Sequence, residues 1–267
     1  MVNRQAATIV VRGLIRQHMT TPTAAPPNSR TALFSRWCNC RAKRGFDLLC
    51  ASVLLVASSP LMILAAVLLR LSSEGPILFR HRRLGKGGEE IAVLKFRTMV
   101  PRACGSGPEV TSSGDPRITR VGRLLRKWKI DELPQLINVI RGEMSMVGPR
   151  PDVAKYFEWV TPEERRHVLS LTPGLTGPAT LVSRDEEQML SAIPESQMES
   201  FYCTVVLPKK ICMELEYAAK STFITDLKVL LQTVTIILSP NRGCSQATVQ
   251  TGYAHLTGTN RPSGPSQ

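Results

Sequence analysis

The sequence predicts an α/β protein in which a small mixed domain of helices and one β-hairpin is carried on a bent membrane helix. Three observations predict it. Leu48 to Leu69 runs without a charge but holds Ser58-Ser59-Pro60 at its middle. Two short apolar runs, Ile77-Leu78-Phe79 and Ile91 to Phe96, flank Gly85-Lys86-Gly87-Gly88, which is the pattern of a hairpin. From residue 117 onward, apolar residues recur at helical spacing.

The uncharged run of 22 residues would reach about 33 Å as a straight helix, enough to cross a bilayer. A plain transmembrane anchor is therefore one reading. Two features favour a helix that enters and leaves the same leaflet. A helix-interior proline removes a hydrogen bond and bends the chain, and nearby serines make the break tolerable in lipid. Both flanks are also basic: Arg36, Arg41, Lys43 and Arg44 precede the run, and Arg70, Arg80, Arg82, Arg83 and Lys86 follow it. The positive-inside rule then puts both ends in the cytoplasm. This divides the chain into a basic leader over 1–40, a re-entrant helix-break-helix over 41–72, a soluble domain over 73–239 and a disordered tail over 240–267.

Charge narrows the function class. The net charge is +13. Residues 1–46 hold eight basic residues and no acid, and 240–267 hold two more, so the stretch between carries only +3. A basic leader suits anionic lipid headgroups as well as nucleic acid, and no nucleic-acid-binding motif is present, so nucleic acid is not an expected partner. Seven cysteines without metal-ligand spacing argue against a thiolate metal site and fit a reducing compartment.

Within the soluble region, residues 101–116 read as a long loop, a length that marks a lid or insert. Ile118, Val121, Leu124, Leu125 and Trp128 share one helical face, with Arg117, Arg120, Arg123, Arg126 and Lys127 turned away from it. Leu133, Leu136, Ile137 and Ile140 form a second apolar face ended by Gly142. Pro134 suits the first position of that helix, so Asp131-Glu132 falls just before its start. Carboxylates there commonly do no more than cap a helix. Thr161-Pro162-Glu163-Glu164 reads as a capping box. Two further helices fit Pro208–Ala219 and Asp226–Leu238. The last carries an apolar side that suits either the core or a membrane surface.

Several segments together resemble the bacterial sugar transferases, the monotopic polyprenyl-phosphate phosphoglycosyl transferases, from about Lys43 to Val234. They are Lys43-Arg44-Gly45-Phe46-Asp47, Ser59-Pro60, Lys95-Phe96-Arg97-Thr98-Met99 and Arg117-Ile118-Thr119. They continue with Gly122-Arg123-Leu124-Leu125-Arg126, Asp131-Glu132-Leu133-Pro134-Gln135-Leu136, Asn138-Val139 and Gly142-Glu143-Met144-Ser145. Val147-Gly148-Pro149-Arg150-Pro151 and Pro173-Gly174-Leu175-Thr176-Gly177 complete the set. Each is weak alone; their joint order and spacing are specific. Lys129 stands where many members have a small hydroxylated residue, and Pro178-Ala179-Thr180 with Ser183-Arg184-Asp185-Glu186-Glu187 departs from the usual continuation.

The resemblance implies a small α/β catalytic domain, a re-entrant helix broken at Ser59-Pro60, and amphipathic helices on the membrane surface. It implies transfer of a sugar-1-phosphate from a UDP-sugar to polyprenyl (undecaprenyl) phosphate with release of UMP, at the cytoplasmic face of the bacterial plasma membrane. This step starts assembly of a surface glycan such as exopolysaccharide or lipopolysaccharide. By the same resemblance Asp131 is the nucleophile and Glu132 its companion, with Mg²⁺ as cofactor held at Asp131 and Glu132. Arg126 resembles a phosphate-binding arginine, and Lys95, Arg97 and Arg150 are further candidates for holding phosphate or nucleotide. For these four cations the alternative is a structural ion pair. A homodimer is compatible with the sequence, which does not fix the oligomeric state.

Overall fold

The computed structural model describes residues 34–72, 74–100, 115–182 and 195–238. Most of the leader, nearly all of the 101–116 loop, Ser183 to Glu187 and the 240–267 tail lie outside the described residues.

Helix α1, Arg41–Ser72, is a single element that continues through Pro60, where the sequence suggested two helices separated by a break. Pro60 has no N–H to give the carbonyl of Val56. The Ser59 hydroxyl donates to that carbonyl instead, at 2.8 Å, and the Ser58 hydroxyl donates to the carbonyl of Leu54 at 2.6 Å. One stripe of α1 faces protein. Lys43, Asp47, Ala51, Ala65 and Leu69 are buried, with Leu55 and Met62 half-buried between them. The rest is apolar and exposed, including Val53, Val56, Ile63, Leu64 and Leu71.

The hairpin forms as its sequence suggests, with longer strands. Strand β1, Leu78–Leu84, pairs antiparallel with β2, Glu90–Phe96, and His81 lies opposite Val93. Gly87 and Gly88 take φ of 76° and 81°, a region glycine enters without steric cost. Both halves of α1 pack against elements around β2. Ala51 joins Val93, Leu136, Val139 and Met146 in one apolar cluster, whereas Ala65 and Leu69 join Phe96 and Leu125 in another. Val93 and Phe96 sit on one strand, so the two ends of α1 contact the same body.

Helix α2, Arg120–Lys127, begins at Thr119, whose hydroxyl accepts from the N–H of Gly122 at 2.9 Å. Gly122 is required there, because a Cβ would lie 2.1 Å from the Thr98 carbonyl oxygen. The apolar face of α2 is not continuous. Leu125 is buried, but Leu124 and Trp128 are exposed, because the helix offers only a narrow stripe to α1. Helix α3, Gln135–Arg141, ends at Gly142 with φ 89°. The Arg44 guanidinium donates to the last carbonyls of α3, Val139 at 2.6 Å and Ile140 at 2.9 Å.

A parallel pair, β3 (Ser145–Val147) with β4 (Gly174–Thr176), was not legible in the sequence. Helix α4, Pro162–Leu169, carries the capping box at Thr161 and Glu164. Helices α5 (Pro178–Val182), α6 (Glu195–Phe201), α7 (Leu207–Lys220) and α8 (Phe223–Leu238) complete the body.

A buried polar hub joins α1 to the rest. Asp226 on α8 is fully buried and accepts from Lys43 Nζ, from Trp37 Nε1 at 2.8 Å and from the Tyr217 hydroxyl. Asp47 accepts from the Ser145 hydroxyl at 2.8 Å and from the Met146 N–H at 3.1 Å. Removing one member of a buried ion pair leaves the other charge uncompensated. Asp226→Ala is expected to lower unfolding free energy by about 3–5 kcal/mol, read as a reduced urea midpoint in detergent, while Asp226→Asn loses less.

Candidate active site

Asp131 and Glu132 sit on a single 3₁₀ turn, Ile130–Glu132, between α2 and α3. The residue before this turn, Lys129, has φ 55° and ψ 20°, the only positive φ outside glycine among the described residues. Both carboxylates are buried, so they do more than cap α3. Their surroundings differ sharply. Glu132 Oε1 accepts from Lys95 Nζ at 2.8 Å and from Arg150 Nη2 at 3.0 Å. Asp131 Oδ1 is buried and has no hydrogen-bond partner among the described residues.

Each partner is held from behind. Lys95 is on β2, which is clipped to α3 by the buried Asn138. Its side chain accepts from the Leu94 N–H at 3.0 Å and donates to the Ala92 carbonyl at 2.9 Å, as a neighbouring strand would. Arg150 follows β3, and three successive residues of its segment are pinned. Gly148 N–H donates to the Thr176 carbonyl at 3.0 Å, and the Pro149 carbonyl accepts from Gly174 N–H at 2.7 Å. Arg150 N–H donates to Glu214 Oε1 at 2.9 Å. The crossing of Gly148 and Gly174 leaves no room for a side chain, since a Cβ on Gly174 would lie 2.2 Å from Gly148 N.

The environment separates the two acids electrostatically. Burial, then the adjacent Glu132, raises the Asp131 carboxyl above its ordinary value, against Lys95, Lys129 and Arg126. Burial would raise Glu132 too, but Arg150, Lys95 and Lys129 hold it well below its ordinary value. Nearby, burial together with Arg83, Lys95 and Arg150 pulls His81 down to about 3, so it stays neutral. Burial and the neighbouring Asp152 push Glu214 up to about 8.

The other residues singled out from sequence fall in three places. Arg126 is half-buried in the last turn of α2 and acts on Asp131 through space. The buried Arg97 turns its guanidinium to the Glu74 carbonyl at 2.8 Å, tying the exit of α1 to the hairpin. Ser59 and Pro60 lie at the middle of α1. Sequence reasoning missed Asn138, His81, Arg83 and Glu214. Asn138 stood in one of the segments that carry the resemblance, and Glu214 left a signal as the one acid among the buried Leu207, Lys210, Ile211 and Ala218 of α7. A cleft of about 760 Å³ beside the hairpin turn, lined by Phe157, Arg165 and Leu169, contains none of the residues around the acid pair.

Among the described residues no group of three or more His, Cys, Asp or Glu side chains is placed to hold a metal. The donor set at Asp131 and Glu132 therefore suits only an ion that completes its shell from phosphate and water, as Mg²⁺ does.

Adjacent substitutions are expected to act oppositely. A carboxyl raised on folding costs stability once ionised, and the cost vanishes below its unfolded value. Asp131→Asn should therefore stabilise the protein by about 1–3 kcal/mol at pH 8, with the gain fading toward pH 4. Glu132 is lowered on folding, so it contributes stability above its unfolded value that is lost as pH falls. Glu132→Gln strands Lys95 and Arg150 and should destabilise at pH 8. Thermal unfolding at both pH values checks the pair.

Comparison with known proteins adds to this geometry. A family model described as bacterial sugar transferase matches residues 38–240. The chain is 37% identical over 201 residues to a UDP-glucose:undecaprenyl-phosphate glucose-1-phosphate transferase of Caulobacter vibrioides, covering 74% of this chain and 70% of that protein. It is 34% identical over 213 residues to the exopolysaccharide production protein PSS of Rhizobium leguminosarum bv. phaseoli, covering 75% of this chain and 97% of that protein. It is 41% identical over 144 residues to a UDP-N-acetylgalactosamine-undecaprenyl-phosphate N-acetylgalactosaminephosphotransferase of Aeromonas hydrophila. That match covers 52% of this chain and 34% of that protein, so the two correspond over about a third of the longer one.

Proposed function

The chain belongs to the bacterial sugar transferase family, and from that membership we propose that it transfers a sugar-1-phosphate from a UDP-sugar to undecaprenyl phosphate at a membrane surface. The reaction opens the assembly of a surface glycan, exopolysaccharide being the product class that the Rhizobium relative's name carries. One observation carries the mechanism: a buried carboxylate oxygen without a hydrogen-bond partner among the described residues, Asp131 Oδ1, beside a carboxylate already held by two cations.

In this reading Asp131 attacks the sugar-bearing phosphorus of the donor. The bond from that phosphorus to the bridging oxygen breaks, UMP leaves with that oxygen, and Asp131 carries an acyl phosphate. An oxygen of the acceptor phosphate then attacks the same phosphorus, the bond to Asp131 breaks, and the carboxylate is restored. Splitting the displacement in two keeps each step accessible. Lys95 and Arg150 hold Glu132 in place and lessen the repulsion that an incoming diphosphate meets. Arg126 adds positive potential around Asp131. Mg²⁺, held by Glu132 with Asp131 beside it, would supply charge neutralisation for the leaving phosphate.

The membrane reading rests on three exposed apolar surfaces. Most of α1 is apolar and uncovered. On α2, Leu124 and Trp128 are exposed, and on α8 a stripe of Phe223, Ile224, Leu227, Leu231, Val234 and Leu238 is exposed. Both ends of α1 touch one soluble body, which supports a helix that does not carry its two ends to opposite sides of a bilayer about 30 Å thick. Re-entry at the cytoplasmic face satisfies that contact and the basic flanks together.

Mixing the detergent-solubilised protein with Mg²⁺ and a panel of UDP-sugars, without lipid, should release about one equivalent of UMP for one sugar. Mass spectrometry should then find that sugar phosphate on Asp131, and Asp131→Asn should give neither. UMP released only when undecaprenyl phosphate is present would replace the two-step scheme with direct displacement. For topology, Arg30→Cys should resist an impermeant thiol reagent applied outside intact cells. Adding Pro60→Ala, which lets α1 straighten, should make that cysteine reactive.

A further inference from the structure

The cations around the acid pair fall into two tiers. Lys95 and Arg150 form the deep tier, and both are committed to Glu132 Oε1, at 2.8 Å and 3.0 Å. Lys129 forms the outer tier. It is exposed, two residues from Asp131, and close enough to bias both acids. Among the described residues no hydrogen bond or ion pair engages its side chain. It directly follows Trp128, and Leu124 lies one turn earlier, both with exposed apolar surface. The backbone at Lys129 is left-handed, a conformation that costs a residue with a Cβ roughly 1 kcal/mol or more. Glycine or asparagine would hold the turn with less strain, so the turn geometry does not explain a lysine there.

Resting on the two-step reading above, we propose that Lys129 binds the phosphate of the lipid acceptor and positions it for attack on the sugar phosphate carried by Asp131. The acceptor differs from the donor in one physical respect: its phosphate arrives attached to a hydrocarbon tail. A cation that receives it must lie where charge meets exposed apolar surface. Lys129 is at that boundary in the chain, between the exposed Trp128 and the buried Asp131. The deep cations serve a different part of the reaction, since they neutralise Glu132 and face the diphosphate of the soluble donor. Attack by one phosphate on another brings two anions together, and an ammonium beside them offsets the repulsion. No proton need move, because the attacking oxygen is already ionised.

The test separates the two half-reactions. Lys129→Asn removes the charge and suits the left-handed backbone; Lys129→Arg keeps the charge. Each is mixed with Mg²⁺ and the UDP-sugar that supports turnover, and the UMP burst is timed. Undecaprenyl phosphate in detergent micelles is then added and transfer to lipid is timed. Lys129→Asn should keep its burst rate within about 3-fold of the unaltered protein. Its transfer rate should fall roughly 10- to 100-fold, as for loss of a charge-assisted hydrogen bond, with a raised KM for the acceptor and not for the donor. Lys129→Arg should recover most of the loss. Equal falls in burst and transfer, or transfer at the unaltered rate in Lys129→Asn, would overturn the assignment. If the unaltered protein gives no burst, the covalent reading fails separately. The acceptor KM of Lys129→Asn then decides: a rise with the donor KM unchanged supports Lys129, and no rise overturns it.

Discussion

Two adjacent carboxylates buried side by side are the constraint on which this structure turns. Neither can be ionised cheaply in a low-dielectric site, and each raises the cost of the other. The structure resolves the conflict asymmetrically. Glu132 receives Lys95 and Arg150 and is held ionised, whereas Asp131 keeps an oxygen with no partner among the described residues. A carboxylate left under-satisfied at a buried position is poorly stabilised as it stands and better stabilised once esterified. On the proposed two-step reading, the same asymmetry that costs stability would also prepare Asp131 for its covalent step.

Meeting that constraint requires three remote segments to converge to within hydrogen-bond distance. Among the described residues there are only two small two-stranded sheets to do it with, so buried polar clips stand in for a large sheet. Asn138 fixes the hairpin to α3, and Glu214 and the Gly148–Gly174 crossing fix Arg150. Arg44 caps α3 from the first turn of α1, and Asp47 and Asp226 seat the rest of that turn against β3 and α8. The long apolar helix α1 is thus wired into the same frame that aims the acids. That coupling keeps Asp131 at a fixed height relative to the apolar surfaces of α1, α2 and α8.

Much of this could be read before any coordinates. The hairpin, the capping box at Thr161, the helix after Pro134, the acid pair and the apolar run with its proline all followed from local pattern. Those features depend on interactions within a few residues, which periodicity and turn chemistry report directly. Two local expectations changed in the folded chain. The helix continues through Pro60, because Ser59 takes over the Val56 carbonyl that proline abandons. The apolar face of α2 divided, because its neighbour α1 covers only one side.

The sequence by itself determined which residue types were available: two carboxylates in tandem, an excess of cations near them, and an apolar segment with a proline at its middle and positive charge on both flanks. Only the tertiary structure decided which cations serve which acid. Lys95 and Arg150 went to Glu132, Arg97 went to a backbone carbonyl, and Glu214, 82 positions from Glu132, came to lie behind Arg150. The physical reason is that a charge pair depends on distance in space and on burial, neither of which is encoded in separation along the chain. A lone acid on the inward side of a helix is the trace that such a long-range contact leaves in one dimension, and its partner appears only once the chain has folded.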